Sequence, residues 1–190
     1  MSVLRQSWAA LRALLVLTVV LGIAYPLLVT GVARAMPGRA DGSIVHAQGR
    51  EVGSSLIGQP TSDVTWFAAR PSAVDAPGAE SGGSNLGQNA DEQKEGIAER
   101  RAALGKANPH AKGPIPDDAL TASGSGVDPD ISVAYARWQA PRIAEARGMS
   151  VTDVEKIIDT HVEKPALGYL GAERVNVLDL NVALARRDGH

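Results

Sequence analysis

From Ala13 to Val32 the chain reads ALLVLTVVLGIAYPLLVTGV, without a single charged residue. That is roughly the twenty apolar residues a helix needs to cross the hydrocarbon core of a bilayer. Trp8 lies near one end, where an interfacial aromatic belongs, and Gly22 and Pro26 are tolerated in a membrane helix. Two other readings compete. A buried core helix would be unusually long and uniformly apolar for a soluble domain. A cleaved leader is the stronger rival, with Arg5 and Arg12 as its charged start and Ala33-Arg34-Ala35 as its processing site. The run exceeds the about 7–15 residues of a leader's apolar region, so length favours a retained anchor. Arg5 and Arg12 before the span nearly balance Arg34 and Arg39 after it. The short leader staying inside then gives an orientation with the N-terminus in and the C-terminus out.

The rest of the 190-residue chain has the size of one ordinary domain. The expected organisation is a short cytoplasmic N-terminus (1–12), a transmembrane helix (13–32), a linker (33–43) and a soluble extracytoplasmic domain (44–190). The fold class is α+β, with short strands and several helices after the span. A formal net charge of -2 argues against nucleic acid as a partner. The lack of cysteine excludes disulfides, thiolate-bound zinc and a thiol nucleophile.

Local signals place the elements. Ser55–Ile57 and Val64–Phe67 read as short strands or extended segments. Asp91–Lys106 reads as an exposed helix, acidic at its start and basic at its end. Asp128-Pro129 has the form of a helix start, with Asp as N-cap and Pro at the first position. Ile131, Tyr135 and Trp138 then recur at helical spacing, and Pro141 should kink or split that helix before Gly148 ends it. Ser150 and Asp153 resemble a capping box opening a helix to about His161, with Val154, Ile157 and Ile158 as its apolar stripe. Val175–Ala185 fits a short strand or a helix capped by Asn176, and helix is the preferred reading.

Chemistry is sparse. There is no phosphate-binding loop ending in Gly-Lys-Ser/Thr, no His-Glu-x-x-His and no Gly-x-Ser-x-Gly. His46, His110, His161 and His190 are too scattered to share a metal on one helix face. Two glycine-serine stretches remain, Ser81-Gly82-Gly83-Ser84-Asn85 and Ser123-Gly124-Ser125-Gly126. Such loops can cradle an anion on backbone N–H groups, or simply turn the chain and let another backbone approach. The second reading is preferred. Gln139, beside Trp138 and before Pro141 at the expected kink, is either a helix-end amide that satisfies the backbone groups freed there or a polar contact to a ligand or partner; the first is preferred. Arg142 and Arg147 would by default pair with acids on the helix surface.

Several stretches together resemble the C subunit of the Kdp-type potassium-transporting ATPase. They are the span with Tyr25-Pro26, GSSLIGQ (Gly53–Gln59), WFAARPSA (Trp66–Ala73) and SGGSNLGQN (Ser81–Asn89). LTASGSGVDPDIS (Leu120–Ser132), QAPRIAEARG (Gln139–Gly148) and LGYLGAERVNVLDLNVAL (Leu167–Leu184) follow in the same order. The departures are small: Ala140 where the family commonly has Val, and Gln88 where it often has Pro. The resemblance implies a non-catalytic subunit of a four-part pump in the bacterial plasma membrane. Its partners would be a potassium-conducting channel-like subunit, a P-type ATPase subunit, a very small fourth subunit and membrane lipid. This chain would bind no cofactor of its own; ATP acts through the ATPase subunit, and potassium at the level of the complex. Two roles are implied. One is assembly and stabilisation, with the domain docked over the outer face of the potassium-conducting subunit; the loops 81–85 and 123–126 would then be rigid turns that shape the docking face. The other is a catalytic chaperone that raises ATP affinity through Gln139. Outside this class stand a released exported binding protein and, more distantly, a free-standing hydrolase.

Overall fold

A computed structural model describes residues 3–61, 63–74 and 78–187. The chain divides into two units, Met1–Ser43 and Ile44–His190.

The first unit is a helix running from Val3 to Ala33, long and apolar enough to cross a membrane, with none of its residues buried. A core helix of a soluble domain would be mostly buried, and none of the described residues of this one is, so the soluble-core reading of this segment fails. The helix begins well before Ala13, taking in Arg5 and Arg12. It consists of α1 (Val3–Val19), a wider π-helical turn (Val20–Ala24) and α2 (Tyr25–Ala33). Pro26 accounts for the wide turn. It has no N–H to give the carbonyl of Gly22, and its ring crowds that carbonyl. The chain absorbs the mismatch by shifting the ladder one residue, so that the Tyr25 N–H reaches the Val20 carbonyl. A short helix α3 (Pro37–Ala40) lies in the stretch expected to be a linker.

The second unit opens with a hairpin, β1 (Ile44–Ala47) and β2 (Arg50–Ser54), paired antiparallel. Gln48 and Gly49 both have positive φ, the requirement of the tight turn that suits hairpin twist. The short strands or extended segments expected at Ser55–Ile57 and Val64–Phe67 are instead turns, the first following β2 and the second covering Val64–Trp66. Helix α4 (Asp91–Ala107) has no fully buried residue, in keeping with its charged sequence. The short α5 (Asp117–Leu120) follows.

Asp128-Pro129 does not start a helix. The Asp128 carboxylate accepts the Asp130 N–H at 3.1 Å, the same local bond an N-cap makes, but the chain then enters β3 (Asp130–Ser132). β3 pairs with β5 (Arg174–Asn176), which also pairs with β4 (Val162–Glu163), giving an antiparallel sheet in the order β3-β5-β4. The partner strand overrides the local signal. The helix start falls to Ser132, whose hydroxyl accepts the Tyr135 N–H at 3.0 Å and caps α6 (Val133–Arg147). Asp118 fixes that cap by accepting both the N–H and the hydroxyl of Ser132.

Pro141 does not split α6. Its missing N–H leaves only the carbonyl of Arg137, an exposed residue, while Trp138, Gln139, Ala140, Ile143 and Ala144 are buried on both sides of it. Gly148, at φ 63°, closes the helix. Helix α7 (Val151–Thr160) is capped by Ser150, which accepts the Asp153 N–H at 3.1 Å and donates to its carboxylate at 2.7 Å. Its stripe of Val154, Ile157 and Ile158 enters the core, each contributing about 1.5–3 kcal/mol of burial. The C-terminal stretch is both strand and helix: Asn176 ends β5 and accepts from the N–H groups of Leu178 and Asp179 to cap α8 (Val177–Arg187). Phe67, Ile131, Tyr135, Ile143, Val175, Leu180 and Leu184 complete one core between α6, α7, α8 and the sheet.

Candidate functional site

A dense polar construction surrounds a loop, residues 63–69, which has no strand partner. Phe67 is its anchor, wholly buried in the core. A buried main chain needs partners for its N–H and C=O groups, and here side-chain amides supply them. Asn181 on α8 accepts the Phe67 N–H at 2.8 Å and donates to the Phe67 carbonyl at 3.0 Å. Gln139 on α6 does the same for the next residue, accepting the Ala68 N–H at 2.8 Å and donating to its carbonyl at 3.1 Å. Each amide replaces the edge of a neighbouring strand.

Two arginines complete the clasp. Arg142 lies one turn beyond Gln139, on the same face of α6. Its guanidinium donates to the carbonyls of Val64 and Trp66, to Gln139 Oε1 at 2.8 Å and to Asn108 Oδ1 at 2.8 Å. That last bond ties the C-terminal end of α4 to α6. Burial makes Arg142 easier to deprotonate than an ordinary arginine, but arginine starts so high that it stays charged. Arg147 donates to the Thr65 carbonyl and stacks 4.1 Å from the centre of the Trp66 ring. Beyond any surface acid, then, both arginines bind the backbone of the loop. Nearby Tyr135 is pushed by burial to a pKa of about 12 and stays neutral.

The two glycine-serine loops meet each other. The Gly82 N–H and the Ser81 hydroxyl both donate to the Ser125 carbonyl, at 2.7 and 2.9 Å. Within the second loop the buried Ser123 hydroxyl accepts the Gly126 N–H at 2.7 Å, and Ser123 N–H donates to the Pro71 carbonyl. Glycine is required at the crossing. Gly126 has φ 71°, and a Cβ there would sit 2.6 Å from both the Gly82 carbonyl oxygen and Val74 Cγ2. The N–H groups of Gly82, Ser123 and Gly126 and the Ser81 hydroxyl are thus directed at protein oxygens. A cleft of about 350 Å³ beside this crossing is lined by Arg70, Ser72, Gly126 and Asp128. Arg70 is ion-paired to Asp128 at 3.1 Å, so its charge is largely neutralised where a phosphate would need it. Ser84, Asn85 and Gly124 are exposed, and Asn85 holds φ 54°, a turn conformation.

Gln139 and the glycine-serine loops therefore occupy separate places in the structure. The sequence reading of the site had missed Asn181. Its one signal was its place on the amphipathic C-terminal run, which does not reveal a partner 114 residues away. Among the described residues no group of three His, Asp or Glu is placed to hold a metal ion.

Residues 7–186 match the family model described as "K+-transporting ATPase, c chain". Three relatives are each described as "Potassium-transporting ATPase KdpC subunit". The one from Myxococcus xanthus is 48% identical over 184 residues, covering 95% of this chain and 87% of the relative. The one from Kineococcus radiotolerans is 47% identical over 186 residues, covering 96% and 94%. The one from Caulobacter vibrioides is 49% identical over 182 residues, covering 94% and 91%.

Proposed function

This chain belongs to the K+-transporting ATPase c-chain family, and from that premise we propose that it is the non-catalytic, membrane-anchored assembly subunit of an ATP-driven potassium uptake pump. The span stays attached in the plasma membrane with its N-terminus inside. The soluble domain lies outside, docked over the outer face of the potassium-conducting subunit, and holds that subunit, the ATPase subunit and the small fourth subunit in one complex. The loops 81–85 and 123–126 form a rigid part of the docking face.

The observation that carries this reading over direct nucleotide handling is the occupancy of the polar groups. Gln139 is 1% exposed and both ends of its amide are engaged by Ala68. For it to touch ATP, the clasp on the loop would have to open and leave the Ala68 backbone groups unpaired. The Gly82 N–H and the Ser81 hydroxyl are similarly taken by the Ser125 carbonyl. A rigid scaffold fits an assembly role, because a preordered surface loses little entropy on docking.

The test is to co-express the pump subunits with and without this chain. Measure the amount of assembled complex, and the KM for ATP of whatever ATPase activity remains. An assembly subunit predicts loss of the complex with the ATP KM unchanged in the residual enzyme. Full assembly with a raised ATP KM would instead favour the catalytic-chaperone role.

A further inference from the structure

Between β4 and β5 the chain makes a turn over residues 165–171 that projects three large apolar side chains. Leu167 is 81% exposed, Tyr169 72% and Leu170 52%. The other exposed large apolar side chains among the described residues of this unit, Ile44, Leu56, Val64, Leu86 and Val151, come from separate stretches of the chain. The turn is well fastened: Ala166 and Leu170 exchange N–H···O bonds at 3.0 and 2.9 Å, and the Gly168 N–H reaches the Pro165 carbonyl at 3.0 Å. Leu167, Gly168 and Gly171 all hold positive φ, at 55°, 82° and 96°. Leucine in that conformation is disfavoured by about 1–2 kcal/mol, so the fold holds Leu167 outward at some expense in stability.

Three occupants could cover such a feature, and the surroundings discriminate among them. A second copy of this chain is disfavoured by size, since three side chains fall short of the ~800 Å² per partner that a self-standing interface buries. A lipid surface is disfavoured by charge. Glu163, Lys164, Glu173 and Arg174 flank the turn and cancel, and Arg174 is already paired with Glu163 and Asp130, each at 2.7 Å. Anionic headgroups recruit net positive clusters instead. A fixed apolar tip ringed by balanced charge is the form of an anchor for a protein pocket. So small a contact suffices where something else already holds the partners together, and this domain is covalently joined to a membrane helix.

We propose that residues 165–171 are a docking finger, with Leu167, Tyr169 and Leu170 seated in an apolar pocket on the outward surface of a membrane-embedded subunit of the same pump. The inference rests on the reading of the chain as an assembly subunit with its domain outside. It adds the element that makes the contact and the apolar chemistry of the pocket that receives it.

The experiment replaces Tyr169→p-benzoylphenylalanine in the full chain, co-expressed with the other pump subunits, and irradiates native membranes. Glu92, exposed on α4, receives the same substitution as a control. The expected result is an adduct of this chain with a membrane-embedded pump subunit, identified by mass spectrometry, from position 169 and not from position 92. Adducts only to lipid, adducts only to a second copy of this chain, or no adduct while the complex still copurifies would overturn the finger and leave the assembly role standing. Failure of the unmodified chain to copurify with any pump subunit would overturn both. As a second variant, Leu167→Ser with Tyr169→Ser should accelerate loss of the chain from the purified complex by about tenfold or more. Its tryptophan emission and melting temperature should match those of the unaltered chain. An unchanged loss rate would refute the proposal.

Discussion

Replacing Gln139 with leucine tests whether this amide is a structural clasp. Leucine keeps much of the volume but removes both ends of the amide, leaving the Ala68 N–H and carbonyl without their partner and taking one acceptor from Arg142. A fully buried unpaired backbone group is penalised by about 1–3 kcal/mol. Ala68 is only partly buried, so water recovers some of that, and about 1 kcal/mol per group is the fitting figure. Arg142 keeps Asn108 and the Val64 and Trp66 carbonyls, so its loss is smaller. The sum is about 2–3 kcal/mol, or a fall in melting temperature of about 6–9 °C for a domain of this size. The assay is thermal unfolding of the full chain in detergent, followed by tryptophan fluorescence. Trp66 lies on the clasped loop and Trp138 beside Gln139, so both report on the site. Hydrogen exchange at the Ala68 amide should quicken in parallel. A melting temperature within about 1 °C of the original, with Ala68 still protected, would refute the clasp and free Gln139 for a ligand.

Gly126→Ala should destabilise the domain by about 2–4 kcal/mol, combining the left-handed backbone with overpacking against Gly82 and Val74; denaturant unfolding measures it, and a change under about 0.5 kcal/mol would mean the loops do not cross as described. Asp63 and Asp153 should both titrate below the ordinary carboxylate range in NMR pH titrations, Asp63 because the Thr65 N–H and hydroxyl favour its ionised form, Asp153 because the Ser150 hydroxyl and then Lys156 do. Since the folded pKa values are depressed, the stabilisation is present above the unfolded carboxylate pKa and is lost as pH falls through the lower folded values. Ser150→Ala should move the Asp153 midpoint back up.

The elements that the sequence made legible are those whose causes are local. Gly148 stops α6, Ser150 caps α7, and the uncharged run from Ala13 marks the long apolar helix, because each signal acts within a turn or two of itself. Asp128-Pro129 misled because a carboxylate accepting the N–H two residues on serves a turn into a strand as well as a helix start. Only pairing of Ile131 with Val175, from a remote part of the chain, decides between them. The hairpin was hidden because Gln48 occupies a positive-φ position where Asn or Asp would have announced the turn. At the site, Gln139 does serve backbone groups, but those of Ala68, 71 residues away, rather than groups freed at a helix end, and nothing near it in sequence points to Ala68. The two glycine-serine loops resembled each other on paper. That they close on one another is a property of the packed chain.

The side of the membrane on which the domain lies decides most directly between an assembly subunit and one that meets ATP. The chain contains no cysteine, so Lys106→Cys, on an exposed position of α4, gives a single thiol. Intact cells carrying the pump are treated with a membrane-impermeant thiol reagent, and the intact mass of the labelled chain is recorded. An outward-facing assembly subunit is labelled in intact cells with the N-terminal span still attached. Labelling that appears only after the cells are broken would place the domain beside cytoplasmic ATP and contradict the proposed function.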